Sequence, residues 1–243
     1  MKVIKLDAID STNDFLKGLS QTQNVENFTA VTAKTQTKGK GQMGSKWLSE
    51  SNKNLITSIL IRDTLTSIED IFILNMTVAL AIVEALKKYK IPAVSIKWPN
   101  DIMAENKKIA GILIENSIKE NGKIDSIVGI GLNVNQTDFE NLPKASSLKI
   151  YMGLDFDTEN LLESIVDEMQ TYTTKIKNGE TDSLWQEYTQ NLFRKDIPTV
   201  FEDNKGLKFM GLIQGINPNG KLEVLLEDDS VKQFGIKEIT MVY

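Results

Sequence analysis

Apolar positions recur every second residue in short runs and at helical spacing in longer ones, a mixture that predicts an α+β fold. Residues 2–6 alternate as a short strand, and Ser11 can cap a following helix with Asp14 in its first turn. Residues 29–34 and 55–61 read as strands. Between them, residues 35–49 are rich in Gly, Lys, Ser and Thr and show no period, which predicts a long loop of the functional or disordered kind. Residues 69–88 are apolar on most sides through 74–83, the pattern of a well-buried helix starting at Glu69. Strands are predicted over 94–98, 109–117 and 124–133. The last two are joined by Glu120-Asn121-Gly122-Lys123, and Asn-Gly between apolar runs favours a hairpin because both residues tolerate positive φ. Helices are predicted over 158–177 and 183–193.

Beyond Arg194 the texture changes. Short strands are broken by turn signals at 203–206, 217–220 and 228–229, a rhythm that suggests a small β-barrel. The expected division is a main unit over 1–195 and a small β unit over 196–243.

The composition, 41% hydrophobic and 25% charged, is that of a globular chain, so the remaining question is chemistry. No cysteine and no histidine occur among the 243 residues. This excludes disulfides, Ser-His and Cys-His nucleophilic systems and most zinc sites, and leaves carboxylates, lysines, backbone dipoles and bound ions. The net charge of -5 argues against nucleic acid as the main partner. The N-terminal apolar segment is too short for a signal peptide, and the run from Val78 to Val83 is too short to span a bilayer. A cytoplasmic location, with no membrane partner, is the expectation.

Charged groups among strand-like residues mark candidate chemistry, since a buried charge must be paired, neutralised or offered to a ligand. In Lys97-Trp98-Pro99-Asn100-Asp101-Ile102, Asp101 and Asn100 have the oxygens to hold magnesium, with Lys97 balancing the charge. A strand end in which Trp98 packs and Pro99 turns the chain would look the same. In Lys108-Ile109-Ala110-Gly111-Ile112-Leu113-Ile114-Glu115, Lys108 can meet a carboxylate or phosphate, and Gly111 permits close backbone approach. A surface lysine at a turn is the alternative. Pairing with Val128-Gly129-Ile130-Gly131-Leu132-Asn133 across the hairpin would set Gly129 and Gly131 beside Gly111 and leave a slot for something flat or chain-like. Lys38-Gly39-Lys40-Gly41-Gln42-Met43-Gly44-Ser45-Lys46-Trp47 can gather backbone N–H groups and lysines around an anion, though it is not a Walker A loop; flexible surface is the bland reading. Ser11-Thr12-Asn13 is either a plain cap or a polar head-group site at a helix N-terminus.

Taken in order, these five segments resemble the biotin protein ligases over essentially the whole chain, including a β-rich tail like that family's SH3-like terminal domain. The resemblance implies a class II synthetase-like α+β catalytic domain, with a mixed sheet and helices packed on it, followed by a small SH3-like β-barrel. It implies activation of biotin by MgATP to biotinyl-5′-AMP, then transfer of biotin to a lysine of a biotin carboxyl carrier domain. Catalysis would be positioning and charge stabilisation around the phosphates, without an enzyme nucleophile.

By match to the motifs, Ser11, Thr12, Asn13 and Gln36 would bind the ureido head, with Gly39 and Lys40 closing over it and Gly111 and Gly129 lining ring and chain. Lys108 would stand between the biotin carboxylate and the α-phosphate. Asn100 and Asp101 would serve the phosphates and magnesium, and Gln42, Trp47 and Asn133 the rest of the nucleotide. Lys108, Asp101 and Lys40 are the expected catalytic groups.

Some members carry arginines where this chain has Lys40, Gln42 and Ser45; Lys38 or Lys46 would have to compensate. The site motifs begin within the first dozen residues, so no DNA-binding domain is expected before them. Lipoate or octanoate attachment, and a non-catalytic biotin or nucleotide sensor, are the competing readings. The resemblance leaves a homodimer through the central sheet and a monomer both open.

Overall fold

In the computed structural model, which describes every residue except 66, 68, 69, 120, 121 and 141, the predicted strands assemble into two sheets. The first contains β1 (Val3–Ile9), β2 (Ala30–Gln36), β3 (Leu55–Arg62), β4 (Val94–Lys97), β5 (Asp101–Ala104), β6 (Lys107–Ile118) and β7 (Ile124–Leu132). Their order is β1-β2-β3-β7-β6-β5-β4. Helix α1 (Thr12–Thr22) links the parallel pair β1 and β2, and every other neighbouring pair is antiparallel. The fold is the expected α+β arrangement.

Strand periodicity sorts the side chains into two apolar clusters. On one face Ala30, Ile59, Ile61, Ile112, Val128 and Ile130 pack with helix α2 (Ile71–Lys88). Leu74, Val78, Ala81, Ile82 and Ala85 of α2 are fully buried, because α4 (Thr158–Lys177) and α5 (Thr181–Gln190) cover its other side. On the opposite face Val31, Leu60 and Ile127 meet Leu16 of α1. Adjacent residues such as Ala30 and Val31 thus enter different cores, as a pleated strand requires. Ser11 caps α1 by accepting from the Asp14 amide at 3.3 Å, and Asp157 caps α4 through the Glu159 amide at 2.7 Å.

Two elements went unpredicted. After β4 the chain turns through Trp98-Pro99-Asn100, with a cis Trp98–Pro99 bond, and returns as β5. Helix α3 (Leu148–Met152) is a single turn capped by Ser147 and closed by Gly153 at φ +71°. Both are too short to show a period. Helix α2 begins at Ile71, and Glu69 lies outside the described residues, as do Glu120 and Asn121 of the expected hairpin turn. Gly122 of that turn takes φ +78°.

The second sheet holds β8 (Thr199–Asp203), β9 (Lys208–Ile216), β10 (Leu222–Leu226), β11 (Val231–Phe234) and β12 (Ile239–Val242). It is antiparallel, in the order β11-β10-β9-β8-β12, around the stacked rings of Phe201, Phe209 and Phe234. It is the small SH3-like β domain at the C-terminal end of the chain. It docks tightly on the first unit. Trp98 Nε1 donates to the Gly220 carbonyl at 2.9 Å, and a Cβ at Gly220 would stand 2.6 Å from the Phe72 ring. No described helix is long and apolar enough to cross a membrane.

Candidate active site

Where α1 stops covering its face of the sheet, strand register builds a floor. Lys97 pairs with Asp101, Asp101 with Gly111, Gly111 with Gly131, and Gly131 with Ile56. Directly opposed residues point the same way, so one row across five strands carries a cation, an anion and two glycines. The next row sets Leu113, Gly129 and Ser58 side by side.

Lys108 reaches this face through a break in register. Ile102 faces Ala110, but Met103 faces Lys108, which leaves Ile109 without a partner on β5. Simple alternation from Gly111 would put Ile109 on the site face; the bulge puts Lys108 there instead. Its Nζ lies 2.6 Å from Asp101 Oδ1, while Lys97 Nζ stands 3.6 Å from Oδ2. Asn100 fastens the β4–β5 turn to β6, donating from Nδ2 to the Ile112 carbonyl at 2.7 Å and accepting from the Ile112 amide at 2.9 Å.

A polar network closes the other end. The Thr12 amide and hydroxyl both donate to Gln36 Oε1, at 2.8 and 3.0 Å. A backbone N–H can only donate, so this contact fixes which end of the Gln36 amide is oxygen and leaves its NH₂ for another acceptor. Asn13 donates to Glu115 at 2.7 Å, and Ser58 Oγ stands 2.6 Å from Asn13 Oδ1 and 2.7 Å from Thr12 Oγ1.

The roof is the Gly-rich loop. Its ends pair at Lys40 and Lys46, and the tip is a 3-10 turn over Gln42–Gly44 with Met43 at φ +54°. Lys40 donates to Asp14 at 2.6 Å, and this hydrogen bond raises the lysine's pKa above its ordinary 10.5. Trp47 lays its indole on the floor: a Cβ at Gly131 would come within 2.4 Å of the ring, and one at Gly111 within 3.3 Å. Its Nε1 is buried and has no hydrogen-bond partner among the described residues.

All the predicted site residues except Gly39 and Asn133 line one cavity of about 360 Å³, within the usual range for small-molecule sites. Gly39 lines an adjoining groove that shares Gln36, Lys40 and Trp47 with the cavity. Asn133 is buried and donates to the Ser146 carbonyl at 3.0 Å, holding the end of β7 to the segment before α3. The expected slot over the three glycines exists, but protein fills it. Trp47 lies over Gly111 and Gly131, and Asn13 over Gly129, where a Cβ would meet its Oδ1 at 2.5 Å.

Sequence reasoning missed Ser58, Ile56 and Lys237. The polar pair Thr57-Ser58 inside an apolar strand was a usable signal for the first. Nothing local marks Lys237, which arrives from the second sheet. Among the described residues no group of three or more carboxylates or other metal ligands gathers. Asp101 is the one carboxylate among the described residues that line the cavity, so a magnesium ion held there would have to bring phosphate ligands with it.

Residues 6–135 match the family described as the biotin/lipoate A/B protein ligase family. That span is more than half of the chain and contains the whole floor. The chain belongs to this family. Among curated relatives of the ligase, the bifunctional ligase/repressor BirA of Bacillus subtilis is 30% identical over 240 residues, covering 96% of this chain and 70% of that protein. The biotin--[acetyl-CoA-carboxylase] ligase of Mycobacterium tuberculosis is 25% identical, covering 87% of this chain and 79% of that one. Among solved structures, the biotin protein ligase of Aquifex aeolicus in complex with biotin and ATP superposes with a TM-score of 0.80 at 29% identity, over 99% of this chain and 98% of that one.

Proposed function

We propose that this ligase activates biotin with MgATP and transfers it to a lysine of a biotin carboxyl carrier domain. The observation that carries the reading is the floor: a bulge-aimed Lys108 on Asp101, in register with Lys97 and a pair of glycines. A biotin carboxylate oxygen attacks the α-phosphorus, and the bond from that phosphorus to the bridging oxygen of pyrophosphate breaks. Both reacting groups are anionic, and Lys108 is placed to offset their repulsion and the charge gathered in the transition state. Asp101 and Asn100 would supply the protein-side oxygens for a magnesium ion bound with the nucleotide, which would neutralise charge on the phosphates. The Gln36 NH₂, oriented by Thr12, offers donors to the ureido carbonyl.

In the second step the acceptor amine attacks the acyl carbon. The carbon–oxygen bond to AMP breaks, and the amine sheds its proton. No enzyme nucleophile is required, which suits a chain without His or Cys. Edge strand β4 is already met by residues 191–193, so the outer edge of β1 is the side left for an acceptor strand or a second copy. Use of ATP fits a cytoplasmic location.

The test is mass spectrometry of a purified biotin-acceptor domain incubated with the protein, biotin and MgATP. A single added biotin with wild type, and none over the same time with Lys108→Ala, is expected. Addition of lipoate or octanoate instead, or of nothing, would overturn the assignment.

A further inference from the structure

Between Lys40 and Lys46 the loop carries no charge, and its tip is bonded mostly to itself. The Gly41 amide donates to the Ser45 carbonyl at 2.7 Å, Ser45 Oγ to the Gln42 carbonyl at 2.8 Å, and the Trp47 amide to the Gly39 carbonyl at 3.0 Å. Among the described residues, two hydrogen bonds tie residues 40–46 to the rest of the protein. One is Lys40 to Asp14. The other comes from the β domain: Lys237 Nζ donates to the Met43 carbonyl at 2.9 Å, across 194 positions of sequence.

Both partners in that second bond have left-handed backbones, Met43 at φ +54° and Lys237 at φ +64°. A residue with a side chain is disfavoured there, and turns usually place Gly or Asn at such positions. Lys237 sits in the turn between β11 and β12, which Glu238 closes by accepting the Gly235 amide at 2.7 Å. Its ammonium stands where the catalytic cavity meets the cleft between the two units, and it lines both. The bond thus joins the side chain of one left-handed turn residue to the carbonyl of another, tying the two turns together.

We propose that Lys237 is a positioning residue that latches the Gly-rich loop over the site and so keeps the acyl-adenylate from water. The inference rests on the ligase reading above. In the leak it suppresses, water adds to the acyl carbon and the carbon–oxygen bond to AMP breaks, giving biotin, AMP and a proton. An unlatched loop admits that water before the acceptor lysine arrives.

The test uses the full chain with Lys237→Asn, which suits a left-handed backbone but is too short to reach Met43, and Lys237→Arg, which keeps reach and charge. Without substrates, amide hydrogen exchange over residues 41–46 is expected to quicken at least about fivefold in the Asn variant and to return toward wild type in the Arg variant. With biotin, MgATP and acceptor, pyrophosphate released per biotin transferred is expected to rise several-fold in the Asn variant and to be rescued by Arg. Loop exchange equal to wild type overturns the latch. So does a raised KM for ATP with unchanged stoichiometry, which would make Lys237 a phosphate contact instead. A wild type that releases no biotin-dependent pyrophosphate overturns the ligase reading, while the exchange arm still tests the latch.

Discussion

The floor and the roof of the site are built by opposite means. The floor lies on β3, β7, β6, β5 and β4, all but the edge strand β4 paired with a strand on both sides, and it is backed by the α2 core. Its charges are held at 2.6 and 3.6 Å and its glycines are enclosed by neighbouring side chains. The roof is a loop whose tip residues Met43 and Gly44 are exposed, and whose outward bonds come from two lysines. A reaction that joins two anions needs fixed charge, and a sheet supplies it. An intermediate that must be sealed and then presented needs a cover that opens, and a loop supplies that.

The largest expected effect is on floor charge. Lys108→Ala is expected to lower the rate of biotin-dependent ATP–pyrophosphate exchange by about 100-fold or more, the scale of losing one preorganised charge contact. Lys40→Ala, on the roof, is expected to raise KM for biotin and ATP by roughly tenfold, as losing one charge-assisted contact would, with a smaller change in kcat. Unchanged kinetics would remove Lys40 from the site, and a kcat loss matching that of Lys108 would erase the division between floor and roof.

Glycine substitutions sharpen the same contrast through stability. Gly129→Ala drives a methyl into Asn13, which is held by Glu115 and Ser58. It is expected to cost about 1–3 kcal/mol, seen as a lowered urea midpoint. Gly44→Ala meets nothing within 4 Å, and only its φ of +80° opposes it. Its cost should be about 1 kcal/mol. Equal losses would mean that the floor gives way as easily as the roof.

The smallest effect is with pH. No His or Cys is present, so no side chain with an ordinary pKa between about 5 and 8 acts in the site. The Lys40–Asp14 hydrogen bond raises the lysine, so that pair's contribution is complete below 10.5 and fades only as pH rises through the elevated value. Asp10 is lowered, first by its hydrogen bond from Lys38 and then by that from Thr37, so its contribution is present above 3.8 and fades as pH falls through the depressed value. Pyrophosphate exchange is therefore expected to be flat from about pH 7.5 to 9. A step within that range would show that a group of the site titrates there and would break this expectation.

The sequence by itself determined the α+β class, the long helix α2, the strands that carry the glycines and the residue types of the site. These follow from local pattern: the period of apolar positions, an N-cap at Ser11, charges among strand residues. Tertiary structure alone decided the rest. Register across β4, β5, β6 and β7 placed Lys97, Asp101, Gly111 and Gly131 in one row, and an extra residue at Ile109 turned Lys108 toward Asp101. The same register left Asn133 tied to Ser146, away from the cavity that its sequence neighbour Gly131 lines. Lys237 came to the loop from another sheet. A strand's period tells which residues share a face, but its alignment with a neighbour depends on the partner strand and on what fills the space above. For this site those fillers are the indole of Trp47 and the amide of Asn13, far from the glycines in sequence.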